Sequence, residues 1–565
     1  MRGGTAPNLF TSHLFNYSMP LPPWSRELVE LYESGAASQF ILHGNIGDLL
    51  LLPESKGTGA ALGTLDVYLK EVLLGKFEVV ISYDVGNGIR VEKGGEAFSQ
   101  WPAFKDKALP SSPREAIHVL THYLRFCANL AKIKPDKTLR VAIIVRGVDL
   151  IAPPSPGGAN YELSGIAWQL REWASDPGIT GSHCATFLLT ENLNDLHPLV
   201  AQSGQSARIV IPLPQAAEME PALKVLQTKW PVPLEPFAAK LAEPAAALAG
   251  ATLNSVETLL QTRQHRGQPL NSKDLVALKK ELIEKDAGGL IEFIKTDRSL
   301  EDLHGQEAIK KWLRQDIALW QQGDLAALPM GYLFCGPVGT GKTFMVECLA
   351  GEAGVPVVKM KNFRDKWVGS TESNLEKIFR LLEALGRCIV FVDEADQALG
   401  RRSGGDGDSG VGGRVYGMMA EQMSNSRNRG RVLWVLATSR PDLVEVDLKR
   451  PGRVDVKIPL FPTATPEEGY KLIRALSKRR GLALPETVPE ALKASIPDLL
   501  TPGAAEALSV KIYRATKTSA SSPEQALATA LGDYQPPVRT EIIQAQIKLA
   551  VDEATDLSFV PERFR

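Results

Sequence analysis

Residues 336–343 read Gly336-Pro337-Val338-Gly339-Thr340-Gly341-Lys342-Thr343. The apolar run 332–335 precedes them, and the helix-patterned stretch 344–353 follows. Strand, glycine-rich loop and helix in that order are the setting a phosphate-binding loop requires. Glycines let the backbone curl until successive N–H groups point inward, and the helix N-terminus adds its partial positive charge. In such a loop Lys342 is expected to reach the β/γ oxygens of ATP as a mobile cation. Thr343 is expected to ligate Mg²⁺ through its hydroxyl.

Downstream, the apolar run 388–392 leads into Asp393-Glu394-Ala395-Asp396. An apolar strand that ends in two carboxylates places Asp393 beside the Mg²⁺ shell and lets Glu394 orient and polarise an attacking water. Alone, two such acids after a strand are usually solvated loop charges. The phosphate loop upstream, in the right order, makes them the mark of a hydrolase rather than of a mere nucleotide binder.

Working outward, a chain of 565 residues is too long for a single hydrophobic core and is expected to divide into several domains. A hydrophobic fraction of 44% with 23% charged residues is ordinary for a soluble globular protein. The formal net charge of −1 supplies no global field toward nucleic acid or anionic membrane. Five cysteines (Cys127, Cys184, Cys335, Cys348 and Cys388) form no C-x-x-C pair, so neither a disulfide framework nor a zinc site is expected. The first 20 residues lack the apolar core of a secretory signal, and no stretch approaches the roughly 20 apolar residues needed to cross a bilayer. A cytoplasmic protein without membrane insertion is the expectation.

Pattern changes divide the chain into a Pro/Gly-punctuated arm (1–23), an α/β block (24–214) and an Ala/Leu/Glu/Lys-rich helical bundle (215–285). A linker (286–302), a second α/β block (303–460) and a helical lid with a C-terminal tail (461–565) follow. The two α/β blocks share landmarks at one common offset. Asp149 and Asp396, Asp195 and Asp442, and Pro212 and Pro459 each follow or end corresponding apolar strands. One fold used twice is the simplest reading. The beginnings of the blocks do not keep this offset, so the first is expected to carry extra residues around 53–63 and 92–112.

Between residues 303 and 505 the sequence resembles the classic AAA family, the group containing spastin, katanin and the proteasomal ATPases. The resemblance rests on motifs in order. Leu303-His304-Gly305 is similar to the family linker over the adenine. The phosphate loop and acidic strand come next, and Ala437-Thr438-Ser439-Arg440-Pro441-Asp442 resembles its ATNRPD segment. Lys449-Arg450-Pro451-Gly452-Arg453-Val454-Asp455 resembles its RRPGRFD segment. The fold this implies is an AAA module, a parallel sheet flanked by helices with a helical lid, preceded here by a degenerate AAA-like α/β domain with its own bundle.

By the same resemblance Arg450 and Arg453 are fingers that reach a neighbouring subunit's ATP, which implies a homo-oligomer, a hexamer in this family. A guanidinium held on a Pro-Gly turn suits charge on a transferring phosphoryl group. By spacing alone the pair equally suits surface arginines with local carboxylate partners. Lys366-Trp367-Val368-Gly369 resembles the pore loop, in which an exposed aromatic grips an extended chain; a buried, packing Trp367 is the alternative. Gly503-Ala504 resembles the lid pair that contacts adenine. Two departures stand out. Ser439 occupies the place of the usual first-sensor asparagine, and its shorter reach implies slow or tuned hydrolysis. Residues 403–413 are unusually Gly-rich and are read as a flexible second pore-side loop or an idle surface loop.

Applied to the first block, the common offset puts Arg146 and Gly147 in place of Asp393 and Glu394, and Ser203 and Ser206 in place of Arg450 and Arg453. Asn192 falls opposite Ser439. His43-Gly44-Asn45-Ile46-Gly47-Asp48 lacks the lysine of a phosphate loop. This half is expected to be unable to hydrolyse ATP and to serve assembly, docking or regulation. The layout also resembles a cyanobacterial and plastid AAA subgroup with an inactive first half, on residues 274–313 and 409–417. The leading expectation is a ring ATPase that uses ATP and Mg²⁺ to remodel or thread a macromolecule, most simply a protein. A regulatory switch with slow hydrolysis and no threading is the alternative. Nucleic-acid translocation is disfavoured by the neutral charge and by the lack of a recognisable nucleic-acid module.

Overall fold

The structure is a computed structural model that describes residues 21–52, 60–103, 108–134, 138–155, 160–294, 297–361, 370–399, 409–518 and 522–565. The chain forms two compact units. One runs to Gly288 and includes Asp365–Leu385; the other comprises Gly289–Arg364 and Gly386–Arg565.

In the first unit, short apolar runs such as VAIIV and the seven-residue CATFLLT are buried on both faces, as strands of a helix-covered parallel sheet must be. The strands are β1 (Gln39–Gly44), β2 (Leu49–Leu52), β3 (Ala61–Thr64), β4 (Val79–Asp84), β5 (Gly88–Lys93), β6 (Val141–Arg146), β7 (Cys184–Thr190) and β8 (Ala207–Ile211). The main sheet has the order β5-β4-β6-β7-β1-β8, parallel except for the edge strand β5. Helices Pro113–Ile133 and Tyr161–Ser175 cover one face, where the fully buried Trp173 donates its Nε1–H to Thr121 Oγ1 at 2.9 Å. Helix Pro23–Glu33 and the turns of 65–73 cover the other. A bundle that includes helices Ala216–Lys229, Leu253–Arg266 and Ser272–Asp286 closes on its own apolar core.

The second unit contains β9 (Ile291–Ile294), β10 (Gly331–Cys335), β11 (Val357–Met360), β12 (Cys388–Val392), β13 (Val432–Thr438) and β14 (Val456–Pro459). Its sheet has the order β14-β10-β13-β12-β11-β9, parallel except for β9. Set strand against strand, β1, β4, β6, β7 and β8 occupy the same places as β10, β11, β12, β13 and β14. The two blocks therefore share a topology, although the strand register keeps the common offset only at β6 and β12, and Pro459 matches Val210 rather than Pro212. The residues read as a linker, 286–302, carry β9, which extends the second sheet by antiparallel pairing with β11. Three helices, Pro466–Arg479, Pro502–Thr518 and Pro523–Gly532, build a lid around Leu472, Ile473, Leu508 and Leu527. The C-terminal helix Thr540–Glu553 ends beside β14, where Thr555 exchanges hydrogen bonds with the Lys457 backbone.

Two expectations need correction. The Gly-rich stretch 403–413 is not wholly a loop: residues 403–408 lie outside the described residues, but helix Ser409–Ser424 begins within the stretch. Val415, Met419, Ala420 and Met423 are buried along one face of that helix, and their burial outweighs the roughly 1 kcal/mol cost of each interior glycine. The second correction concerns register. Val141 and Cys388 begin matching strands, but the connection from β6 to β7 is one residue shorter than that from β12 to β13. Thr190 therefore matches Thr438, and Glu191, not Asn192, stands opposite Ser439.

Candidate nucleotide site

The loop leaves the carboxyl end of β10, a central strand held between β13 and β14. Gly336 takes φ 141°, and a Cβ there would run into the Leu460 carbonyl oxygen, so the close approach requires glycine. Gly341, at φ 86°, caps helix Lys342–Ala353, whose first residues follow the loop directly. Thr340 Oγ1 donates to Pro337 O at 2.8 Å and closes the turn. Lys342 Nζ donates to Gly336 O at 2.9 Å and Pro337 O at 3.0 Å, so the ammonium bends back over its own loop. Burial pulls its pKa down to about 8, against the opposing pull of Cys335, Asp393 and Asp396.

This depressed pKa has a sign that can be tested. A bound polyphosphate keeps Lys342 charged, so above about pH 8 binding must take up a proton. ATP affinity should be flat from about pH 7 to 8 and then weaken by up to about tenfold per pH unit. Fluorescence titration with a labelled ATP analogue across that range checks it; constant affinity to about pH 9.5 would contradict it.

Facing the loop, β12 ends in the acidic pair. Asp393 Oδ2 accepts from Lys359 Nζ at 2.8 Å, and its Oδ1 accepts the Glu394 N–H at 3.1 Å. Glu394 is exposed, has no side-chain partner among the described residues, and holds φ 48°, a left-handed conformation uncommon for a non-glycine residue. Asp396 Oδ1 accepts from Thr438 Oγ1 at 2.6 Å, which fixes the end of β13 just before Ser439. Lys359, Thr438 and Asp396 were missed as site residues by sequence reasoning; a lysine inside the apolar run VVKM was the available signal.

The lid reaches the loop directly. Gly503 N–H donates to Gly339 O at 2.9 Å, and Ala504, buried beside it, donates its N–H to Thr501 Oγ1 at 3.3 Å. His304 precedes a left-handed turn at Gly305 (φ 74°) and Gln306 (φ 61°); burial lowers its pKa, and Lys310, Lys471 and Arg479 push the same way. The structure thus brings residues 336–343, Asp393, Glu394 and Ser439 to the carboxyl ends of three adjacent strands, with Gly503 against the loop.

It does not bring Arg450 and Arg453 there. Asp455 N–H donates to Gly331 O at 3.0 Å, which places their turn at the amino end of β10. The five-residue length of β10 separates them from their own loop by about 16 Å. Both engage Asp447. Arg450 Nε lies 3.0 Å from Oδ1 and remains 58% exposed, whereas Arg453 is buried and is bound to the Asp447 carboxylate and carbonyl. Tyr416 donates to the same carboxylate at 2.7 Å. Trp367 and Val368 lie outside the described residues.

In the first unit Gly44 matches Gly336, with φ 103° and a would-be Cβ against the Ile211 carbonyl oxygen. The likeness then fails. The place of Lys342 falls to Leu50, inside the β2–β3 hairpin that replaces the phosphate-loop helix. Asp48 fills the loop instead: its carboxylate accepts the Leu253 and Asn254 N–H groups, both at 2.9 Å. Arg146 stands where Asp393 would be and pairs with Asp84, so the charge is inverted. Gly147, at φ 61°, keeps the left-handed backbone seen at Glu394. The adjoining cavity, about 280 Å³, is lined by Asp48, Glu191 and Asp286 against Lys377 and Arg380, a balance that opposes a polyphosphate.

Comparison with known proteins agrees with this division. The family model described as "AAA+ chaperone, N-terminal Rossmann-like domain" matches residues 12–212, and that for the "ATPase family associated with various cellular activities (AAA)" matches residues 332–461. Residues 332–461 therefore form an AAA-type P-loop ATPase module, preceded by a segment similar to the N-terminal domain of AAA+ chaperones. Among curated relatives, an ATP-dependent zinc metalloprotease FtsH 1 of Salinibacter ruber is 39% identical over 136 residues, 23% of this chain and 20% of that protein. A cell division cycle protein 48 homolog of Archaeoglobus fulgidus is 30% identical over 215 residues, 37% and 28% of the two chains. A putative ribosome biogenesis ATPase nvl of Dictyostelium discoideum is 32% identical over 154 residues, 27% and 18%. The matched segment thus spans between 18% and 28% of these relatives' length. Among the described residues, no helix is long and apolar enough to cross a membrane.

Proposed function

We propose that the second unit hydrolyses ATP with Mg²⁺, and that the chain works as a ring-forming homo-oligomer that remodels a protein substrate. The observation that carries the reading is the convergence of Lys342, Asp393 and Glu394 on one loop mouth. Thr343 and Asp393 offer the hard oxygen donors that Mg²⁺ prefers, so the residues present fit that ion, which would neutralise phosphate charge when bound. Lys342 holds the phosphates, Glu394 aligns the water, and Ser439 completes the wall between them. His304, Gly305, Gly503 and Ala504 embrace the base.

The position of Arg450 and Arg453, a strand's length from their own loop, favours action on a neighbouring subunit's nucleotide. Assembly must then loosen both from Asp447. Specific ATPase activity should rise steeply with protein concentration as the oligomer forms; a rate independent of assembly would reject fingers acting between subunits. For threading, Trp367→Ala should abolish substrate remodelling while basal ATPase stays within about twofold. Unimpaired remodelling by that variant would favour the second reading, a switch with slow hydrolysis. Ser439 and the first unit's loop, with Leu50 in place of the lysine, speak for that alternative.

A further inference from the structure

The phosphate loop is also held from outside. Val338 N–H, on the loop's outer arm, donates to Gln546 Oε1 at 3.2 Å. Gln546 is buried, though it belongs to the C-terminal helix Thr540–Glu553, more than 200 residues further along the chain. Two turns later on that helix, Glu553 pairs with Lys449 and, at 3.1 Å, with Lys457. Lys449 precedes Arg450 directly, and its Nζ also donates to Pro441 O at 2.9 Å, two residues beyond Ser439. One helix thus touches the phosphate loop through Gln546 and the arginine turn through Glu553, contacts spaced about 10 Å apart along its axis.

We propose that Gln546 is a positioning residue for nucleotide binding, and that the helix it lies on is a strut holding the phosphate loop in fixed relation to the arginine turn. The proposal rests on the reading of residues 336–343 as the ATP-binding loop. A cradle of inward amides works only if the loop keeps one curl, and an acceptor on its outer face removes competing conformers before ATP arrives. Gln546 touches no reacting atom in this account; its effect passes through Val338. Packing alone would be served equally well by an unbranched apolar side chain of the same length, and this separates the two explanations.

The test uses the full-length chain with Gln546→Met, which keeps the length of the side chain and removes its amide oxygen. Losing one such hydrogen bond should raise KM for ATP about fivefold with kcat within about twofold. Amide exchange in the peptide that contains residues 336–341 should quicken without nucleotide, and the melting temperature should stay near that of the parent. Unchanged KM and unchanged exchange would overturn the proposal. So would a joint fall of kcat and melting temperature with KM unaltered, since that is the signature of lost packing. Should the parent hydrolyse no ATP at all, the ATPase reading fails by itself, while the exchange measurement still decides whether Gln546 holds the loop.

Discussion

Lys342→Ala should lower ATP turnover by at least about a hundredfold and weaken ATP binding by about tenfold or more. The lysine is half-buried in the loop, where its charge has given up part of its water and donates to two carbonyl oxygens. Such a group is costly to bury and gains full compensation only when a polyphosphate arrives. Removing it should therefore leave the nucleotide-free protein as stable as the parent or slightly more so, while the gain in melting temperature on adding ATP disappears. That combination separates loss of function from loss of fold. Turnover at the parental rate would remove the loop from the reaction altogether.

Glu394→Gln should separate binding from hydrolysis. Asp393 is tied to Lys359, whereas the Glu394 carboxylate is exposed and has no partner among the described residues. Its backbone is held at φ 48°, a conformation that costs energy and throws the side chain away from the path of the strand. Glutamine keeps the shape and the backbone preference but cannot take a proton from water. The expected result is a fall in turnover of about 10²- to 10³-fold with ATP affinity within about threefold. Single-turnover hydrolysis beside equilibrium binding measures both quantities. Should turnover survive, another group aligns the water, and Asp396 is the neighbouring acid to examine next.

Several features were legible in the residues themselves. Phosphate-loop chemistry is local: eight consecutive residues between an apolar strand and a helix define it, and the structure places them at the end of β10. The acidic pair was legible for the same reason, as was the missing lysine of the first block, now located at Leu50. Lys359 and Gln546 were not legible, because each acts through a partner that is distant in sequence: Asp393 on the adjoining strand and Val338 on the loop. The match of Ser439 with Asn192 slipped by one because sequence offsets do not sense a connection one residue shorter, whereas hydrogen-bond register does. The helix that starts at Ser409 was hidden by its glycines, since its stability comes from what it buries rather than from propensity.

Order along the chain was enough to determine the kind of chemistry, the repetition of one fold and which copy lacks its cation, since each depends on residue types at short range. Which end of the sheet carries the arginines, what ties Asp393 and Val338, and how Asp48 fills the corresponding loop of the first unit were decided only when distant segments packed together. Such contacts join residues that many different sequences could have brought together, and only the folded chain selects among them.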